Sequence, residues 1–162
     1  ITSVTFELTK NSHKLNSSYG SIQTELDKNK INNPTIKDIS YALITIRKSK
    51  LTDPEEIWNS GSFLKNPVIS IRDFNRLQKK YPTIPHYVIS DKEIKVPAGW
   101  LVEQSGFKGK RFGDAGVHKK QALVLVNYGE ATGEEIWNLA NKIQKTVLKI
   151  YNILLEAEVN VI

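Results

Sequence analysis

The sequence predicts an α+β fold, with strands and helices interleaved but lacking the regular strand–helix–strand rhythm of a parallel sheet. Three observations carry this. Residues 154–162 alternate, with Leu155, Ala157, Val159 and Val161 on one side and Glu156, Glu158 and Asn160 on the other, the period of a half-buried strand. Residues 122–126 are a continuous apolar run of strand length. Ser70 with Asp73 and Thr132 with Glu135 are spaced as capping boxes opening helices.

In order along the chain, Val4, Phe6 and Leu8 alternate with Thr5, Glu7 and Thr9 and predict a strand that must join a sheet. A short helix is expected over 21–29, followed by a break at Asn32-Asn33-Pro34. Thr35 then caps a helix whose stripe is Ile36, Ile39, Leu43 and Ile46. Arg47 and Lys50 lie near its C-terminal end, where the helix dipole favours cations. In Gly61-Ser62-Phe63-Leu64-Lys65-Asn66-Pro67, Gly61 frees the backbone beside Ser62 and Pro67 disfavours helix at Asn66. An extended, partly buried segment is expected there.

A helix over 71–81 buries Phe74 and Leu77 and stops at Pro82, and a stiff loop runs to Tyr87. Ile94-Lys95-Val96 predicts a short strand and 98–104 a brief helix closed by Gly106. Residues 107–120 read as the least regular region. From Thr132 the strongest helix runs to about Asn152, with Ile136, Leu139, Ala140, Ile143 and Val147 on one face.

The 162 residues suit one domain with a piece of another. The chain opens on Ile1 and contains no Met, so a fragment of a longer protein is expected. Without Cys there is neither a disulfide framework nor a thiolate metal site, and His13, His86 and His118 are widely separated, so no metal is expected. No apolar run approaches the roughly 20 residues of a membrane helix and no signal peptide opens the chain. A cytoplasmic location without membrane partners is expected. Lys and Arg exceed Asp and Glu by 23 to 17, for a net charge of +6, which favours anionic partners.

Two stretches resist a purely structural account. Ser62, Lys65 and Asn66 lie on a segment otherwise rich in apolar residues, and buried polar groups need partners. In 108–120 glycines alternate with cations, so backbone amides and positive side chains converge in a way that suits a diphosphate. Glu158 reads either as a solvent-facing edge residue or, if its face is a cleft, as a carboxylate for proton chemistry.

Together, Gly61 to Pro67, Pro97-Ala98-Gly99-Trp100-Leu101, Ala115-Gly116-Val117-His118 with Gln121 to Asn127, and Glu156-Ala157-Glu158-Val159 resemble the C-terminal half of the MurB reductase family. The resemblance implies a substrate-binding domain of mixed helices and a small antiparallel sheet over 19–153. It also implies a tail of a preceding FAD-binding domain over 1–18 and a terminal strand over 154–162 returning to the N-terminal part. The family uses NADPH and FAD to reduce the enolpyruvyl ether of UDP-N-acetylglucosamine in peptidoglycan synthesis. By resemblance Ser62 is the general acid and Glu158 the active-site carboxylate. Lys50 and Lys108 hold the substrate diphosphate, and Tyr87 closes over the nucleotide. Tyr19, Asn66 and Gln121 make further substrate contacts, and Arg47 supports the same cleft. Most of the FAD site is expected outside these residues, leaving the chain inactive alone.

Trp58 departs from a usual family glycine. A Trp held at positive φ would carry strain of roughly 1–3 kcal/mol. Nucleic acid is not an expected partner under this resemblance. The alternative reading is a phosphate- or nucleic-acid-binding module using the basic loop 108–120.

Overall fold

The computed structural model describes residues 2–18, 20–50 and 56–161, which fall into two compact units divided after Lys50. In the first unit, α1 (Ile22–Lys28) packs on α2 (Ile36–Lys50). Ile22, Leu26 and Ala42 are buried with Ile31, Ile39 and Ile46 around them. Thr35 caps α2 as the sequence predicts: its Oγ1 accepts the Asp38 N–H at 3.4 Å, while its own N–H and hydroxyl donate to the Asp38 carboxylate at 2.7 and 2.6 Å. The buried stripe is displaced from the predicted one, because Ile36 and Leu43 are exposed and Ala42 is buried instead. A small side chain at the contact lets two short helices approach closely.

Val4, Phe6 and Leu8 form no strand and are 63%, 75% and 80% exposed. Alternation makes a strand only where another edge supplies ladder partners, and no described residue pairs with them.

In the second unit a four-stranded antiparallel sheet has the order β1-β7-β6-β5. Its strands are β1 (Trp58–Ser62), β5 (Arg111–Phe112), β6 (Ala115–Val117) and β7 (Val124–Asn127). A three-stranded antiparallel sheet, β2-β4-β3, is built from β2 (Val68–Ser70), β3 (Tyr87–Val88) and β4 (Glu93–Lys95). Three helices complete the unit: α3 (Ile71–Lys80), α4 (Ala98–Gln104) and α5 (Gly133–Tyr151). The fold is α+β with small antiparallel sheets, as predicted.

Of the two expected capping boxes, the one at Thr132 is complete and the one at Ser70 is half formed, a side-chain N-cap without the return bond to its backbone N–H. The Ser70 hydroxyl accepts the Asp73 N–H, and Thr132 and Glu135 exchange side-chain-to-backbone bonds at the start of α5. The inner face of α5 buries Leu139, Ala140, Ile143 and Val147 in one core with Leu101, Val117 and Leu125. Asn152 ends α5 in the left-handed conformation, φ 57°. Residues 153–159 then keep the predicted alternation of burial, Ile153 and Leu155 inside. They form a single bridge, Leu64 to Ala157, rather than a long strand.

The region expected to be irregular contains a hairpin. Gly113, at φ 61°, and Asp114 join β5 to β6 in a two-residue turn, and glycine at the first turn position is the residue such a connection demands. Asp114 accepts the Glu130 N–H at 2.9 Å and pairs with Arg111, whose guanidinium lies over the Tyr128 ring. These contacts hold the Asp114 carboxyl below its ordinary pKa, the Glu130 hydrogen bond contributing most. Trp58 sits in β1 opposite Asn127. Among the described residues, positive φ outside glycine occurs only at Ser12, Lys30 and Asn152, so the strain anticipated for Trp58 is absent.

Candidate active site

Ser62 ends β1 at a bulge. The register slips between Asn59, opposite Val126, and Ser62, opposite Val124. Gly61 takes φ 76° inside the irregularity, and its N–H donates to Asn59 Oδ1 at 3.0 Å. A bulge re-aims the side chains that follow it, and Ser62 emerges exposed immediately before the buried pair Phe63 and Leu64.

Glu158 reaches the same margin from the far end of the chain. The Gln144 side chain donates to Leu155 O at 2.8 Å and fixes the segment leaving α5. Lys65 N–H then donates to Glu156 O, and Glu158 N–H to Phe63 O, each at 2.9 Å. The backbone thus brings Glu158 beside the residue following Ser62, and both polar side chains are solvent-accessible. An exposed Lys65–Glu156 ion pair at 3.4 Å crosses the junction, where such a pair contributes little stability.

Asn66 has a structural partner: its Oδ1 accepts the Ala98 N–H at 2.9 Å. Pro97 precedes α4 without a side-chain cap, so Asn66 satisfies a donor that the helix start leaves open. Gln121 is half-buried in the turn between β6 and β7, where its carbonyl accepts the Val124 N–H at 3.0 Å. Leu123 O in turn accepts the Phe63 N–H at 2.8 Å. Ser62, Gln121 and Glu158 therefore stand on backbone segments that are hydrogen-bonded, directly or through one neighbour, to the stretch 62–65.

Lys108 follows α4 and is ion-paired with Glu103 at 2.9 Å. Tyr87 is 65% exposed on β3, paired with Lys95 at the edge of the smaller sheet. Arg47 and Lys50 are exposed in the last turn of α2, in the first unit. Tyr19 lies outside the described residues. A surface groove of about 250 Å³ is lined by Phe112, Glu135, Asn138, Leu139 and Lys142, and contains none of the predicted site residues.

Sequence reasoning missed His118. It is 5% exposed, and its Nδ1 accepts the N–H groups of Lys120 and Gln121 at 3.2 and 3.1 Å. Burial, followed by the Lys120 charge, lowers its pKa below the ordinary 6.5. Its motif was visible in the sequence, but the ring's use as a backbone acceptor depends on the turn that follows.

These features define an α+β domain with a hydroxyl and a carboxylate carried on neighbouring backbone segments, a pairing suited to proton transfer. The family model described as UDP-N-acetylenolpyruvoylglucosamine reductase, C-terminal domain, matches residues 53–162. The chain is 62% identical over all of its 162 residues to the UDP-N-acetylenolpyruvoylglucosamine reductase of Flavobacterium johnsoniae, covering 48% of that protein. The reductase of the same name from Chromobacterium violaceum is 46% identical over 98% of this chain, which covers 46% of the relative. A crystal structure of the Thermus caldophilus reductase (MurB) aligns with TM-score 0.47 and 21% identity, covering 82% of this chain and 35% of that one. The chain belongs to the UDP-N-acetylenolpyruvoylglucosamine reductase family, and it spans about half the length of these sequence relatives.

Proposed function

We propose that this chain is the substrate-binding portion of a cytoplasmic flavoenzyme that reduces UDP-N-acetylenolpyruvoylglucosamine to UDP-N-acetylmuramate, with NADPH as reductant, in peptidoglycan synthesis. The observation that carries the reading is the hydrogen bond from Glu158 N–H to Phe63 O, which joins the Ser62 and Glu158 segments. Residues 1–18 are read as the tail of a flavin-binding domain, 19–153 as the substrate-binding domain and 154–162 as a returning segment.

When bound, FAD reduced by NADPH would supply the hydride that goes to the methylene carbon of the enolpyruvyl group. The neighbouring carbon then gains negative charge, delocalised onto the substrate carboxylate, and the Ser62 hydroxyl donates a proton to that carbon. A hydroxyl is a weak acid, but an enolate accepts its proton when the two are aligned and water is excluded. Glu158 stabilises or helps protonate this intermediate. The exposed hydroxyl and carboxylate fit the protonating side of the reaction, and the flavin is held mainly by residues outside this chain, which is inactive alone.

Lys50 and Lys108 grip the diphosphate, Lys108 exchanging its Glu103 partner for phosphate oxygens. Tyr87, exposed on an edge strand, closes over the nucleotide. Asn66, Gln121 and Tyr19 contact substrate, and Arg47 supports the cleft. In the full-length enzyme, Ser62→Ala should leave flavin reduction by NADPH intact and slow the second half-reaction by about 10²–10⁴-fold. Equal losses in both half-reactions would refute the proton-donor role.

A further inference from the structure

His118 is the one buried polar or charged residue among the described residues, and the chemistry proposed above gives it no role. It directly follows β6, and its backbone N–H donates to Val124 O at 2.9 Å. The intervening residues form the turn that carries Gln121. Two backbone donors, from Lys120 and Gln121, converge on its Nδ1. An imidazole nitrogen that accepts is unprotonated, so the neutral ring carries its proton on Nε2. The same turn supplies Leu123 O to the Phe63 N–H and Val124 as the partner of Ser62.

We infer that His118 is a positioning residue whose Nδ1 holds the 119–121 turn so that Gln121 faces the substrate and the backbone beneath Ser62 and Phe63 stays in register. This rests on the functional reading above. A histidine that only filled the core would be replaceable by any side chain of similar size. One acting through Nδ1 requires an acceptor at that atom's position.

Two substitutions separate these cases. In His118→Asn the side-chain oxygen occupies the place of Nδ1 and accepts from N–H groups two or three residues ahead, as asparagine does in turns. In His118→Gln the acceptor moves outward toward the place of Nε2. In the full-length reductase we expect His118→Asn to keep KM for the enolpyruvyl sugar nucleotide within about threefold of wild type. We expect His118→Gln to raise it about tenfold or more, with flavin reduction by NADPH unchanged. In a Gln121→Ala background, His118→Gln should add less than about threefold, because residues acting through one contact are non-additive.

Equal KM values for the two His118 variants, or a full additional penalty in the Gln121→Ala background, would overturn the inference. If His118→Gln fails to fold, amide hydrogen exchange of Lys120 and Gln121 in wild type and His118→Asn decides. Protection in both supports the inference, and loss in His118→Asn overturns it. A wild-type full-length enzyme that fails to reduce the enolpyruvyl sugar nucleotide would refute the functional reading. The exchange measurement would still test the Nδ1 contact.

Discussion

Asn66 offers a test in which folding and binding come apart. Its Oδ1 takes the N–H of Ala98, a fully buried residue at the start of α4. Asn66→Ala removes the acceptor and leaves that donor unsatisfied, a loss of about 1–3 kcal/mol, in line with the cost of deleting a helix cap. With a urea slope of about 1–3 kcal/mol/M, a loss of about 2 kcal/mol moves the midpoint down by roughly 1 M. Asn66→Asp keeps an oxygen in place and adds a negative charge at a helix start, where charge of that sign is favourable. Its midpoint should therefore stay within about 0.3 M of wild type. Trp100 sits within α4, edge-on to Tyr81 and tilted against Tyr151, so its emission senses the loss of that helix. Under the proposed substrate contact of Asn66, Asn66→Asp in the full-length enzyme should still weaken substrate binding about tenfold, because the amide donors are gone and a negative charge faces an anionic substrate. Equal destabilisation by Ala and Asp, or a stable Asn66→Ala, would refute the capping role.

Gly116→Ala should destabilise by about 1–3 kcal/mol. The new methyl would stand 2.6 Å from Tyr128 Cε2 and 3.1 Å from the Lys110 carbonyl, and a lower urea midpoint at unchanged slope is the signature. Stability should also respond to His118, whose folded pKa lies below 6.5 through burial and the Lys120 charge. The unfolded state then binds the proton more readily. The contribution is complete above about pH 6.5 and is lost as pH falls through the lowered folded value. Urea midpoints between about pH 7.5 and about pH 5 should fall more steeply for wild type than for His118→Asn, and identical slopes would contradict this.

What the sequence revealed was local. The N-cap at Ser70, the capping box at Thr132, the limits of α4 and the inner face of α5 depend on residues within a turn or two of one another. The burial alternation from Ile153 to Val159 also survives, although its pairing shrinks to one bridge. The misreadings are tertiary. Residues 4–8 have the pattern of a strand without a described partner, and α2 buries Ala42 because α1 packs there. The hairpin at 111–117 was legible in principle, since Gly113-Asp114 is a recognisable two-residue turn, but the surrounding Lys108, Lys110 and Arg111 also fit an anion-binding loop. The uses of Asn66 and His118 as backbone acceptors required the fold itself. Among the described residues, Ser62, Gln121 and Glu158 are joined through the backbone around 62–65.

The meeting of Lys65 and Glu156 across 91 residues has a consequence for how this domain matures. Closing so long a loop carries an entropic penalty before any contact rewards it, so the junction should form after the helices and hairpins. On a ribosome Ser62 emerges long before Glu158, and a nascent chain ending before residue 156 would hold its helices and hairpins without the Leu64–Ala157 bridge that brings the two segments together. Under the proposed function, cutting the full-length enzyme before residue 156 should therefore impair turnover before it impairs solubility.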